Sequence, residues 1–343
     1  MSRVGRKSSQ AVTIHAVAER AGVSIMTVSN VLNNRRNVRE QTRQAVMEAV
    51  EALGYKPNMA ARSLASAATT RIGLLCSTGE SGFLSSILVG AVDGTSDSGA
   101  QLTVRRFKSS DVDVMLQSVD ALAKSGVRAL ISPPPYCEAL SRFDLPVPMV
   151  AICAGDELPT MPCVRVDDRA AAKAMTAHLI ALGHRRIGFI RMGQQLLAGR
   201  TRYEGYCAAL AEAGIAIDEQ LVAQGGYSFD SGLVAAEELL ARPHRPTAIF
   251  AGNDDMAIAV ISLAHRMGID IPGELSVAGF DDAPVAVKIW PTLTTIRQPV
   301  SAMSAEATRL AIDIAQGVRE ATPDTRYFDF ELVDRDSTAP PPQ

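Results

Sequence analysis

The residues of this chain that could do chemistry are densest near its N-terminus, and the chemistry they suit is recognition of a polyanion. Residues 1–68 carry ten lysines and arginines against four acids, a net charge of +6, whereas the rest of the 343 residues carries 24 against 33, a net of −9. A basic head on an acidic body points the head, and not the body, at nucleic acid. Within that head, Ile25-Met-Thr27 and Ser29-Asn30 set hydroxyls and a carboxamide beside two long apolar side chains. Such groups can bond phosphates and base edges. Catalytic constellations are missing from the sequence. His15, His178, His184, His244 and His265 show no metal-ligand spacing, and there is no G-x-G-x-x-G, Walker A or G-x-S-x-G segment. Cys76, Cys137, Cys153, Cys163 and Cys207 form no C-x-x-C pair and read as small buried residues of a reducing compartment. The expectation is a protein that is not an enzyme and has no metal and no cofactor.

The elements that must position the head residues follow from local signals. Thr13 can cap a helix on which Val17, Ala18 and Ala21 share one face, and Gly22 can end it in the left-handed conformation. Val23 fills the corner, and Ser24 caps a second helix whose Val28, Val31 and Leu32 face inward. A third helix runs from about Glu40, with Val46, Ala49, Val50 and Leu53 on its inner side and Gly54 at its end. Two short helices about a three-residue turn describe a helix-turn-helix that reads DNA; a plain αα-hairpin has the same pattern.

The motif itself is more specific. Val12-Thr-Ile-x-x-Val-Ala-x-x-Ala-Gly-Val-Ser-x-x-Thr-Val-Ser-x-Val-Leu-Asn33, the stretch Val38 to Arg43, and Gly54-Tyr-Lys-Pro-Asn-x-x-Ala-Arg-Ser-Leu64 strongly resemble the N-terminus of the lactose-repressor/galactose-repressor family. That resemblance implies a second helix lying in the major groove, with Ile25, Met26 and Asn30 near base edges. It implies that Ser24, Thr27, Ser29, Asn33, Tyr55 and Asn58 lean toward phosphates and sugars, with Arg39 and Thr42 as further backbone contacts. Many relatives carry an aromatic or polar residue at the position of Ile25 and Arg or His at that of Asn30. Asn reads adenine where Arg prefers guanine, so the half-site should differ. Ala16, where relatives often have Asp, should matter little.

After Pro57 the resemblance implies a hinge helix, Asn58 to Ala65, too short to be stable alone and ordered on the operator beside its dimer mate. Leu64 matches the leucine that wedges into the minor groove, and Ala61 would allow close approach. Ser66 to Thr70 has the small polar composition of a linker.

From Arg71 on, short β-branched runs alternate with helical stretches, in two blocks divided near Val166. That alternation argues for two parallel sheets covered on both faces, with a cleft at the carboxyl ends of their strands. Landmarks such as Arg202-Tyr-Glu-Gly-Tyr206, Asn253-Asp-x-Met256, Gly279-Phe-Asp281 and Pro291-Thr-Leu-Thr-Thr-Ile-Arg-Gln-Pro299 are similar to the sensor of the same family. The expected fold is a small all-α helix-turn-helix head plus an α/β two-lobed, periplasmic-binding-protein-like (type I) sensor. Its limits are residues 1–57 for the head, 58–70 for hinge and linker, and 71–335 for the sensor. Lobe 1 would hold about 71–166 and 299–325, lobe 2 about 167–298 and 326–335, and 336–343 would form a disordered tail.

The resemblance further implies effector contacts at Arg202, Asn253 and Asp281, with Trp290 able to stack on a sugar ring and Phe83 walling the opposite lobe. A guanidinium, a carboxylate and an aromatic face suit a polyhydroxylated ligand. Arg200 lies two residues from Arg202 and leaves that register open, as does simple pairing of Arg202 with Asp281. The expected partners are palindromic operator DNA, a sugar effector and a second copy in a homodimer. A purine or nucleoside corepressor is the alternative effector, and a sugar-binding protein without a DNA role the alternative class. Neither an apolar signal segment nor a run of the ~20 residues a membrane span needs is found, so a cytoplasmic location is expected.

Overall fold

A computed structural model describes residues 13–32, 39–55, 70–77, 81–107, 111–193 and 196–342. The chain forms two compact units that part between Thr69 and Thr70. Asn33, Asn58, Ala61 and Leu64, and with them the hinge helix, lie outside the described residues.

The N-terminal unit holds three helices, α1 (Ile14–Ala21), α2 (Ile25–Leu32) and α3 (Glu40–Leu53). Val17, Ala18, Val28, Val31, Val46 and Ala49 meet in one small core, with Val23 packed against it at the corner. Gly22 ends α1 at φ 65°, a backbone conformation that costs glycine little. Ser24 caps α2 as expected, its Oγ accepting from the Thr27 amide at 3.1 Å. Thr13 does not use its side chain; its carbonyl takes the Ala16 and Val17 amides instead.

The C-terminal unit holds two six-stranded sheets. Lobe 1 contains β1 (Arg71–Ser77), α4 (Gly82–Thr95), β2 (Gln101–Phe107), α5 (Val112–Lys124), β3 (Val127–Ser132), α6 (Tyr136–Leu140), β4 (Met149–Ile152) and β5 (Cys163–Arg165). Lobe 2 contains α7 (Asp168–Ala181), β6 (Ile187–Arg191), α8 (Leu197–Glu212), β7 (Val222–Gln224), α9 (Phe229–Leu240), β8 (Ala248–Ala251), α10 (Asp254–Arg266), β9 (Ser276–Asp281) and β10 (Thr294–Arg297). The chain then returns to lobe 1 with α11 (Val300–Ala315) and β11 (Thr325–Tyr327), and ends in lobe 2 with β12 (Glu331–Val333). Strand order is β11-β5-β4-β3-β1-β2 in one sheet and β12-β10-β9-β8-β6-β7 in the other. Every pairing is parallel except β12 with β10. The inner strands are apolar on both faces because helices cover both, which is why they read as continuous β-branched runs, whereas edge strands such as β2 keep polar, exposed residues.

Two boundaries differ from expectation. Lobe 1 extends to Tyr327, because Thr325–Tyr327 pairs with β5 instead of joining lobe 2. Residues 336–342 are not a loose tail. Ser337 is fully buried, trades backbone and side-chain hydrogen bonds with Val277, and accepts the Thr294 amide at 2.8 Å. His184, buried behind β9, holds the same segment through Ser276 and the Ala339 carbonyl. Burial lowers its proton affinity, so it stays neutral and serves as a structural bridge. Small polar residues attach this segment by hydrogen bonds, so no apolar periodicity announces it.

Candidate DNA interface and effector cleft

In the N-terminal unit, the start of α2 carries Ser24, Ile25 and Thr27 together. Ser24 Oγ and Thr27 Oγ1 lie 2.9 Å apart, and Ile25 is 39% exposed despite its apolar side chain. An isoleucine offered to solvent here suits contact with a thymine methyl. Met26, Ser29 and Asn30 belong to the same helix by their backbone. Arg39 and Thr42 stand at the start of α3, where the Arg39 carbonyl accepts the Thr42 and Arg43 amides at 3.0 Å each. Tyr55 is half-buried against the head core, so its ring is anchored by packing.

In the sensor, the carboxyl end of β9 delivers Asp281 and the first turn of α4, which follows β1, delivers Phe83 to the cleft between the lobes. A cavity of about 390 Å³ opens there, lined by Phe83, Ser86, Asp281, Asp282, Arg297 and Gln298 among others. Asp281 and Asp282 have φ of 118° and 54°, two consecutive side-chain-bearing residues in a region that costs energy. The corner is held by Asp254, whose Oδ2 accepts the Ala283 amide at 2.7 Å and whose Oδ1 accepts Thr295 Oγ1 at 2.6 Å. Asp254 can approach because residue 279 is glycine: a Cβ there would lie 2.3 Å from Oδ1. Arg297 and Arg335 clamp Asp282 at 2.7 Å each.

Arg202 sits just behind Asp281. Its Nε donates to Asp168 Oδ1 at 2.8 Å, Nη1 donates to the Gly252 carbonyl at 2.6 Å, and its Cζ lies 3.5 Å over the Phe280 ring. The Asp281 carboxylate is farther, at 3.7 Å. Simple pairing of Arg202 with Asp281 therefore does not describe the site; Asp168 is the closer partner, and Arg202 is fixed before any ligand enters. The register also resolves: Arg200 is exposed and pairs with Asp156 at 2.9 Å, leaving Arg202 as the inward arginine.

Burial pushes Asp281 up to about 6, with Arg202 and the Gln298 amide, which donates at 2.5 Å, pulling it back. Burial likewise raises Asp168 against the pull of Arg202, and raises Asp254, where Asp281 adds repulsion. Asp168 and Asp281 thus flank one guanidinium, with Asp254 next to Asp281 in the same desolvated region.

Of the five expected effector residues, Phe83 and Asp281 line the cavity and Arg202 backs it. Asn253 is spent on the protein: Oδ1 caps α10 through the Met256 amide and Nδ2 donates to the Tyr227 carbonyl. Trp290 is 76% exposed and outside the lining of this cavity. Gln298, Asp168 and Asp254 are the residues sequence reasoning passed over. Gln298 and Asp254 stood inside motifs already quoted, but their partners are distant in sequence.

Comparison with known proteins agrees with both halves of this description. Residues 13–58 match the bacterial regulatory proteins, lacI family, and residues 176–338 match a periplasmic binding protein-like domain. The chain is 35% identical to the HTH-type transcriptional regulator GalS of Salmonella typhimurium, over 96% of this chain and 97% of that protein. Among solved structures it is similar to a transcriptional regulator CelR–cellobiose complex (TM-score 0.72, 30% identity, 95% of this chain and 99% of that one). It is equally similar to a lac repressor dimer bound to operator and the anti-inducer ONPF (TM-score 0.72, 27% identity, 96% and 100%). A DNA-reading head, a two-lobed sensor and near full-length likeness at this identity lead to one assignment: the chain belongs to the lacI family of bacterial transcriptional regulators.

Proposed function

We propose that the chain represses a carbohydrate-use operon and releases its operator when a sugar enters the cleft. The observation that carries this reading is the cavity wall, where the Asp281 carboxylate and Gln298 amide stand beside the Phe83 ring with Arg202 fixed behind them. Carboxylate and amide pairs match vicinal hydroxyls, and a ring matches the apolar face of a pyranose. The likeness to a regulator solved with cellobiose supports the same class of ligand.

The protein acts in the cytoplasm by binding, not by catalysis. Among the described residues, no helix is long and apolar enough to cross a membrane. Ser24, Ile25, Met26, Thr27, Ser29 and Asn30 read the half-site, with Asn33, Arg39, Thr42, Tyr55 and Asn58 on the backbone and Ala61 and Leu64 at the minor groove. A second copy completes the palindrome. Packing of α4 on α11 leaves an outward stripe in which Val89 and Val92 are 56% and 55% exposed, an apolar face that a dimer mate would cover. Trp290 and Val287 add exposed apolar side chains on lobe 2.

The test is affinity for a fragment upstream of the protein's own gene, at fixed salt, with and without a panel of sugars and purines. The reading expects one sugar to weaken specific binding. A purine that tightens binding instead would make the chain a corepressor-dependent repressor. A fragment held no better than random DNA would overturn the operator assignment.

A further inference from the structure

Outside the cavity lining, beyond the carboxyl ends of β3 and β6, the lobes also meet over a buried carboxylate with no role so far. Glu138 lies on α6 of lobe 1, and its Oε2 accepts the amide of Leu197, the first residue of α8 in lobe 2, at 3.0 Å. The side chain is buried, and among the described residues Oε1 has no hydrogen-bond partner. The surfaces around it are in close contact. Thr201 of α8 donates to the Gly155 carbonyl at 3.0 Å, and a Cβ added at Gly155 would lie 1.8 Å from the Ala198 amide nitrogen. Because α8 also carries Arg202, whatever holds its first turn against lobe 1 sets where the inward arginine stands.

We propose that Glu138 is an inter-lobe latch that caps α8 when the lobes close and couples closure to uptake of a proton. The closed arrangement gives the carboxylate one helix-start amide and takes away water from the other oxygen. Opening separates Glu138 from Leu197 and restores the water. A group whose charged form loses solvent on closure binds its proton more tightly in the closed form.

The surrounding charges act in the same place. From lobe 2, Asp168 on α7 repels the Glu138 carboxylate and Arg200 on α8 attracts it; on its own helix, the buried Cys137 thiol adjoins it. Arg165 is occupied with the Gly155 carbonyl, Asp156 and Asp168. Burial outweighs the Leu197 amide and pushes Glu138 up to about 7, against an ordinary glutamate value near ~4.3 when exposed. With those two values the closed-to-open ratio rises about tenfold from pH 8 to pH 6.

The latch rests on the sensor reading only in requiring that the lobes move, and its test uses no effector, so its failure leaves the sugar assignment intact. Spin labels at exposed Lys124 of lobe 1 and Ala241 of lobe 2 report the inter-lobe distance in the full-length protein by pulsed dipolar spectroscopy. Wild type should shift toward the short distance as pH falls from 8 to 6, by about tenfold in population ratio. Glu138→Gln, which mimics the protonated side chain, should stay at the short distance at both pH values. A wild-type distribution unchanged between pH 6 and pH 8 would overturn the proposal even if the variant failed to fold. So would a Glu138→Gln protein whose pH response matched that of wild type.

Discussion

Asp281→Asn should make the sensor more stable at neutral pH while impairing its response to effector. The carboxylate is buried, and burial pushes it up to about 6, above the ~3.9 of an exposed aspartate. A raised folded-state value means that the native protein binds this proton more tightly than the unfolded chain does. The corresponding stability is therefore complete below pH ~4 and is lost as pH rises through about 6. At pH 7.5 the native state carries the cost of an ionised, desolvated aspartate beside Asp254 and Asp168. Two pH units of displacement correspond to roughly 3 kcal/mol at most. That figure already contains the 3.7 Å attraction to Arg202, which asparagine loses together with the charge, so the asparagine variant should gain about 2–3 kcal/mol. The Gln298 amide can still donate to an asparagine oxygen, so the corner keeps that bond. Urea unfolding of wild type and variant at pH 7.5 and at pH 4 measures the difference. The gain should be present at pH 7.5 and vanish at pH 4. A variant less stable than wild type at pH 7.5, or equally stabilised at both, would refute the electrostatic account of the cleft.

Other perturbations separate the remaining links. Gly155→Val places side-chain atoms where the Ala198 amide stands, so it should prevent full closure and lower effector affinity by at least tenfold by calorimetry, with far-UV circular dichroism unchanged. Removal of residues 336–343 strips the bonds that Ser337 and Ala339 make to Val277, Thr294, His184 and Ser276, and should cost about 2–4 kcal/mol in denaturant unfolding. A loose tail would cost nothing. Ser24→Ala removes the cap of α2 and should cost about 1 kcal/mol in the isothermal stability of the head, together with operator affinity. Leu64→Ala should weaken specific operator binding while leaving the salt-dependent nonspecific term in place, as a salt titration on operator and random duplexes would report.

What the sequence makes readable here is what depends on neighbours along the chain. Gly22 at positive φ, the Ser24 cap and the 3.6-residue spacing of Val28, Val31 and Leu32 all act within a turn or two of helix, and each stands where expected. The apolar strands likewise announce themselves, because parallel sheets covered on both faces admit few polar residues. The cleft is different. Arg202 finds Asp168 across 34 residues, Gln298 finds Asp281 across 17, and Thr295 finds Asp254 across 41. No local pattern encodes those pairings. Asn253 was visible as a motif residue, yet its position at a helix start turned its side chain to capping, a use that competes with ligand contact. Trp290 followed the reasonable rule that a lone aromatic near a sugar site stacks on the ring, but its segment between β9 and β10 turns it to solvent. The Ser337 segment defeated composition-based reading because a polar, proline-rich end can still be held by backbone bonds to a sheet.

One linkage measurement bears on the account as a whole: operator affinity with and without the inducing sugar, and sugar affinity with and without operator, at one salt concentration. If a ligand in the cleft sets the grip of the head, the two ratios must be equal, at roughly 5–150-fold. A sugar that binds free and operator-bound protein with the same affinity would contradict the account, however tightly it occupies the cleft.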